Sequence, residues 1–216
     1  MKMNKFISLI ASMFLLLTFS AKAEMGIGVT GAYHMLGGDG SETTRQSGEV
    51  NNGSIDENVA IPEIFLEAVA DSGLAVGFSY VPARELGSKS RTDSNSDGDS
   101  GTYRAEAELE NVVQLYFDFP LSEVQGFPVH GKVAVQHVTL KTLESLNSGA
   151  TYPNKNVFGY TIGLGAKGDV PYGNNLYYKG ELTYTNFETY DADGAGNRVK
   201  ADLEDTALRL SLGYKF

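Results

Sequence analysis

Apolar and polar residues alternate with a period of two along eight stretches of the chain, most cleanly in the last ten residues. There Leu208, Leu210, Leu212, Tyr214 and Phe216 fall on one side, and Ala207, Arg209, Ser211, Gly213 and Lys215 on the other. Successive side chains of a strand point to opposite faces, so this pattern predicts a strand with one apolar face and one polar, cationic face. Gly26 to Met35 repeats it with Ile27, Val29, Tyr33 and Met35, and Ile61 to Ala70 sets Ile64, Leu66 and Ala68 against Glu63 and Glu67. Leu74 to Pro82 offers Leu74, Val76, Phe78 and Tyr80; Phe127 to Thr139 sets Val129, Val133 and Val135 against His130, Lys132 and Gln136. Val157 to Gly168 opposes Phe158, Tyr160, Ile162 and Leu164 to Gly159, Gly163, Gly165 and Lys167, and Leu176 to Asn186 opposes Leu176, Tyr178, Leu182 and Tyr184 to Lys179 and Glu181.

The longest stretch, Tyr103 to Leu121, is the sharpest test of the pattern. Read at constant parity, it places Ala105, Ala107, Leu109, Val113, Leu115, Phe117 and Phe119 against Arg104, Glu106, Glu108, Glu110 and Asp118. No charge falls on the apolar side of any of the eight stretches in these registers. Two architectures satisfy this: a soluble cup with the apolar face inward, or a membrane barrel with the apolar face in lipid, where a mid-bilayer Arg or Lys costs roughly 2–4 kcal/mol. The connections alternate. Leu36 to Ala60, Ala83 to Thr102, Leu140 to Asn156 and Phe187 to about Asp205 are long and rich in Gly, Ser, Asn and Asp; Asp71-Ser72-Gly73, Pro120 to Gly126 and Asp169 to Asn175 are short. Long outer loops and short periplasmic turns characterise membrane barrels.

The N-terminus adds a compartment. Lys2 and Lys5 precede an apolar run from Phe6 to Phe19, and Ala21-Lys22-Ala23 reads as a small-x-small cleavage site, so residues 1–23 are expected to be a signal peptide and residues 24–216 the barrel domain. No later stretch approaches the roughly 18 apolar residues of a spanning helix. The chain contains no cysteine, so neither a lipid-modified cysteine nor a disulfide holds it. Three of its seventeen basic residues, Lys2, Lys5 and Lys22, precede Glu24, which leaves fourteen against twenty-seven acids. That excess of acid argues against a nucleic-acid partner.

A chain ending Gly213-Tyr214-Lys215-Phe216 resembles the C-terminal assembly signal of bacterial outer-membrane β-barrels, with Leu212, Tyr214 and Phe216 as its apolar positions and Ser211 where a Gly is usual. With its strand count and loop alternation, the chain resembles the small eight-stranded outer-membrane proteins of the OmpA transmembrane domain, OmpX and OmpW kind. The resemblance implies an all-β, eight-stranded, antiparallel up-and-down transmembrane barrel in the outer membrane of a Gram-negative bacterium. Its implied partners are outer-membrane lipid, lipopolysaccharide and the barrel assembly machinery.

Such a barrel is only wide enough for side chains to fill it. The polar faces therefore predict an interior charge network of Glu63, Glu67, Arg104, Glu106, Glu108, Glu110, Lys132, Lys179, Glu181 and Arg209, with Glu67, Glu110, Lys132, Glu181 and Arg209 near mid-depth. His137 and Thr139, followed by Glu144, resemble the His-x-Ser pair of outer-membrane lipid A deacylases, with a more hindered threonine in place of serine. Asp93, Asn95, Asp97 and Asp99 offer oxygens at the alternate positions of a calcium loop, but Arg104 stands where its twelfth-position acid belongs, so only weak calcium binding is expected and no other cofactor. The expected role is a non-enzymatic barrel serving envelope structure or surface interaction through acidic loops. A narrow conduit for small or apolar solutes, as in OmpW-like proteins, is the alternative, and a lateral opening in the wall would distinguish it.

Overall fold

The computed structural model describes residues 23–45, 47–48, 50–93, 101–145, 153–194 and 196–216, with 44, 86–93, 101–107 and 142–145 as backbone only. The described residues form strands β1 (Glu24–Thr44), β2 (Val50–Val69), β3 (Ala75–Val81), β4 (Arg84–Asp93), β5 (Gly101–Val124), β6 (Phe127–Ser145), β7 (Lys155–Asp169), β8 (Leu176–Phe187), β9 (Tyr190–Asp193) and β10 (Asn197–Lys215). Pairing runs β1-β2-β3-β5-β6-β7-β8-β10, all antiparallel, and β10 returns to β1, which closes an eight-stranded ring. Each predicted stretch lies within a ring strand or overlaps one.

Closure carries the start of β1 and the end of β10 to one rim, where the Phe216 amide donates to the Met25 carbonyl at 2.8 Å. The short turns share that rim. Between β5 and β6 the turn is Gln125-Gly126, both at positive φ (53° and 84°), as a two-residue hairpin matched to strand twist requires. The Gly, Ser, Asn and Asp-rich connections at the opposite end are largely strand: β1 pairs with β2 and with β10 up to Thr43 and Thr44, and β9 flanks β10. Here the strands stand beyond the outward apolar belt, so ladder hydrogen bonds sustain them without an apolar outer face. On this outer blade Arg198 grips Asp191 with two hydrogen bonds of 2.9 and 2.7 Å, which holds the Asp191 carboxyl below its usual range.

The faces settle the choice between the two architectures. Leu210 (64 % exposed), Ile162, Leu164, Leu182, Leu208 and Ile64 lie on the outer surface, while Glu63, Glu67, Lys132, Lys179, Glu181 and Arg209 are buried inside. A soluble cup would bury the first set and expose the second. The apolar belt ends in outward tyrosines, Tyr33, Tyr80, Tyr160 and Tyr184 toward one rim and Tyr178 and Tyr214 toward the other, the amphipathic girdles of a transmembrane barrel.

One register differs from the constant-parity expectation. Between the Glu110–Thr139 and Val113–His137 pairs β5 holds one residue more than β6, a bulge in which Asn111 adopts φ 52°. The extra residue reverses facing above it. Glu110 pairs with outward Thr139, and Glu108 with Lys141, so both glutamates leave the interior. They bind Lys141 on the outer wall, at 3.2 Å for Glu108 and 3.3 Å for Glu110.

Candidate functional site

The lumen has two sections, built from different residue types. The section toward the short turns is ionic. Glu67 on β2 accepts from Lys179 Nζ (2.7 Å), Tyr116 OH (2.6 Å) and Tyr177 OH (2.7 Å). Lys132 Nζ lies 3.0 Å from both Asp118 and Glu181, and His130 Nε2 lies 3.0 Å from Glu181. Arg209 binds Glu63 directly and reaches Glu181 at 3.8 Å. His34 continues the chain, with Nδ1 2.7 Å from Asp205 and Nε2 3.9 Å from Glu63. Buried charges persist only when paired, and these strands supply the partners from six directions.

The large side chains fit because glycines face them. A Cβ on Gly77 would lie 2.1 Å from Tyr116 Cζ, and one on Gly213 would lie 2.3 Å from Tyr177 Cζ. Gly77→Ala should therefore push Tyr116 off Glu67 and lower stability by about 1–3 kcal/mol, measured as a fall in the urea midpoint of barrel refolded into vesicles. An unchanged midpoint would show that the packing around Glu67 is looser than described. Asp118, His130 and Glu181 bring possible metal-ligand atoms within 4.8 Å of one another. The Lys132 ammonium already occupies the space between the two carboxylates.

Above the ionic section the lumen turns apolar. Ile61, Val81, Val112, Val138 and Val157 form a buried cluster, with Val59, Leu109, Leu140 and Phe187 packed against it. Higher still, Tyr190 and Ala192 pack with Leu140, Val199 and Ala201, so the apolar lining continues onto the inner side of the blade.

Beside this cluster the wall loses its ladder. β2 pairs with β3 from Ile64↔Tyr80 down to Val69↔Ala75; above it, among the described residues, β2 pairs only with β1. The strand next to it breaks at Pro82 and resumes as β4, which among the described residues pairs only with β5. Pro62, without an N–H, stands at the head of the lost ladder. The seam between β2 and β4 is crossed at Arg84, whose Nη1 donates to the Ala60 carbonyl at 3.2 Å.

Of the expected interior residues, the structure gathers Glu63, Glu67, Lys132, Lys179, Glu181 and Arg209, and turns Glu108 and Glu110 outward through the bulge. The side chains of Arg104 and Glu106 lie outside the described residues, as do the side chain of Asp93 and all of Asn95, Asp97 and Asp99. Leu212, Tyr214 and Phe216 lie on the outer surface at the closing strand. His137 and Thr139 share the outward parity of β6, with His137 itself buried, and are oriented separately: the Thr139 hydroxyl donates to Asn156 at 2.9 Å, and the His137 ring stands edge-on to Phe158 at 5.1 Å. Tyr116, Asp118, His130, Tyr177, His34 and Asp205 complete the network; Asp118 and His130 already had the interior parity in their stretches.

No family model matches the chain, and no curated protein matches it in sequence. Among solved structures, it is similar to the outer membrane protein OprG from Pseudomonas aeruginosa, at 14 % identity over 90 % of this chain and 97 % of that one, with a TM-score of 0.60. It is likewise similar to the outer membrane protein AlkL studied in lipid bilayers, at 15 % identity over 90 % of each chain, with a TM-score of 0.59. The fold is that of a small outer-membrane β-barrel. The belt that faces outward is thus the lipid-facing wall, and the short-turn rim is the periplasmic one.

Proposed function

We propose that this barrel is a non-enzymatic, side-opening conduit for small apolar solutes. The observation that carries the reading is a coincidence of height: the apolar cluster around Ile61, Val81 and Val112 lies where the β2–β3 ladder ends. A solute entering along the apolar inner side of the blade meets aliphatic side chains, then an ionic plug that bars the way to the periplasm. Charged groups already paired to one another gain nothing from an apolar solute. The remaining path is lateral, through the seam and into the membrane. In the resting state the cluster closes the lumen, and a passing solute replaces its apolar contacts with equivalent ones.

Uptake of the hydrophobic dye N-phenyl-1-naphthylamine by intact Gram-negative cells tests this, because lipopolysaccharide limits its entry. Cells making the barrel should take up the dye faster than cells making the Val138→Asn, Val157→Asn double variant, while refolded wild-type barrel gives no stepwise ion conductance in planar bilayers. Equal dye uptake at equal levels of folded protein would remove the conduit reading. A role in surface interaction is the second reading, favoured by the paired strands that rise beyond the apolar belt on β1, β2 and β10. The tyrosine girdles suit contact with lipid and lipopolysaccharide headgroups, and the exposed Phe216 and Tyr214 suit capture of the closing strand by the assembly machinery.

A further inference from the structure

The conduit reading accounts for the aliphatic lining but not for Arg84. By register Arg84 pairs with Leu109, and Leu109 with Leu140. Both leucines pack on the lumen cluster, and directly paired residues share a face, so Arg84 stands on the inward side of the wall at the seam. Its guanidinium carries five N–H donors. Of these, Nη1 is used on Ala60, Nε is buried without a partner, and no carboxylate of the described residues pairs with it. The acids closest to it in register are held by other partners or stand on the other face, Glu85 lying opposite the outward Glu108. Glu63 is held by Arg209, and Glu108 and Glu110 lie outside the wall on Lys141. Arg84 is half-buried, and its buried, unpartnered Nε carries a desolvation cost that no group of the wall offsets. A carboxylate removes that cost, since it fits the guanidinium fork with two parallel hydrogen bonds.

We propose that Arg84 receives the carboxylate of a single-chain amphiphile, with its hydrocarbon tail against Val59, Ile61, Leu109 and Leu140. This rests on the conduit reading and narrows its solute class to medium-chain monocarboxylates. One guanidinium matches one negative charge. The seam admits such a molecule in the orientation it already has in a leaflet, with its head at the outer part of the wall and its tail toward apolar surroundings.

The test uses barrel in phosphatidylcholine nanodiscs, with Ile, Leu and Val methyl resonances followed during titration with dodecanoate, dodecan-1-ol and dodecyltrimethylammonium. Dodecanoate should shift the Ile61, Leu109 and Leu140 methyls with an affinity at least about tenfold above that of the alcohol, the minimum expected of a hydrogen-bonded charge. The ammonium amphiphile should be weakest. Arg84→Gln keeps an N–H donor for Ala60 without the charge and should bring acid and alcohol to equal affinity, whereas Arg84→Lys should keep part of the preference. Equal affinity of acid and alcohol in the wild type overturns the proposal and leaves the conduit reading standing. Absence of methyl shifts with all three amphiphiles overturns both. A preference that survives in Arg84→Gln shows that the carboxylate is recognised elsewhere. If Arg84→Gln does not fold, the three wild-type titrations decide the question.

Discussion

Replacing Lys132 with methionine is expected to cost the barrel about 3–5 kcal/mol, the range for removing one partner of a buried ionic set. Locally, Lys132 is the cation shared by Asp118 and Glu181 at 3.0 Å each, and its ammonium also lies 3.7 Å from the centroid of the Tyr116 ring. Across the plug, the permanent cations that ion-pair with Glu63, Glu67, Asp118, Glu181 and Asp205 among the described residues are Lys132, Lys179 and Arg209, while Lys167 at the short-turn edge donates to the Gly73 carbonyl. The substitution leaves two directly paired cations for five carboxylates. Adding Asp118→Asn returns the carboxylate excess to its original value, so the double variant should be more stable than the single one, with a coupling of about 0.5–3 kcal/mol. Urea unfolding of vesicle-refolded protein, followed by tyrosine fluorescence, measures both. If Lys132→Met unfolds at the wild-type midpoint, the plug is hydrated rather than mutually paired.

The sequence allowed the wall to be read more reliably than the lumen, because lipid enforces a simple rule. Every outward position of the belt must be apolar, so parity at Ile64 against Glu63, or Leu210 against Arg209, survives inspection of the chain alone. Glu108 and Glu110 show where that reading fails. The bulge at Asn111 reverses the facing of β5 at the same height at which the lumen changes from ionic to apolar. Leu109 therefore remains apolar while turning inward, Val113 remains apolar facing lipid, and the alternation runs unbroken through the sequence. The adjacent pair Val112-Val113, following an asparagine able to adopt positive φ, is the local mark of the extra residue. The outer blade was hidden for a different reason. Strands that rise beyond the lipid need no apolar outer face, so Leu36 to Ala60 and Phe187 to Asp205 carry loop-like composition over a regular ladder. The seam depends on which strands fail to pair, and that follows from the offset between β2 and the break at Pro82. No single stretch of sequence contains it.

Leu210→Arg should be the most damaging change on the outer wall, at about 2–4 kcal/mol for a cation near the bilayer midplane. Leu210 lies between Leu208 and Leu212 on the closing strand, and its neighbours across the ladders are Gly31 and Gly180, so no adjacent side chain shields it from lipid. An arginine there has no carboxylate to meet, because the ionic plug lies on the other side of the strand. Tyr214 provides the internal control. It belongs to the same face of the same strand but sits in the periplasmic girdle, where Tyr214→Arg can reach headgroups and water and should cost only about 0–1 kcal/mol. Ser211→Arg tests the opposite face: it would carry a cation inward, but Ser211 is 6 % exposed, hydrogen-bonded to Thr30 at 2.8 Å and paired with Lys179, so crowding and like charge should make it unfavourable as well. Folding yields and unfolding midpoints of the three variants in phosphatidylcholine vesicles separate these causes. Thicker bilayers should worsen Leu210→Arg and leave Ser211→Arg nearly unchanged, since only the first depends on depth in lipid. Equal penalties for Leu210→Arg and Tyr214→Arg would mean that this face is not the membrane-spanning wall.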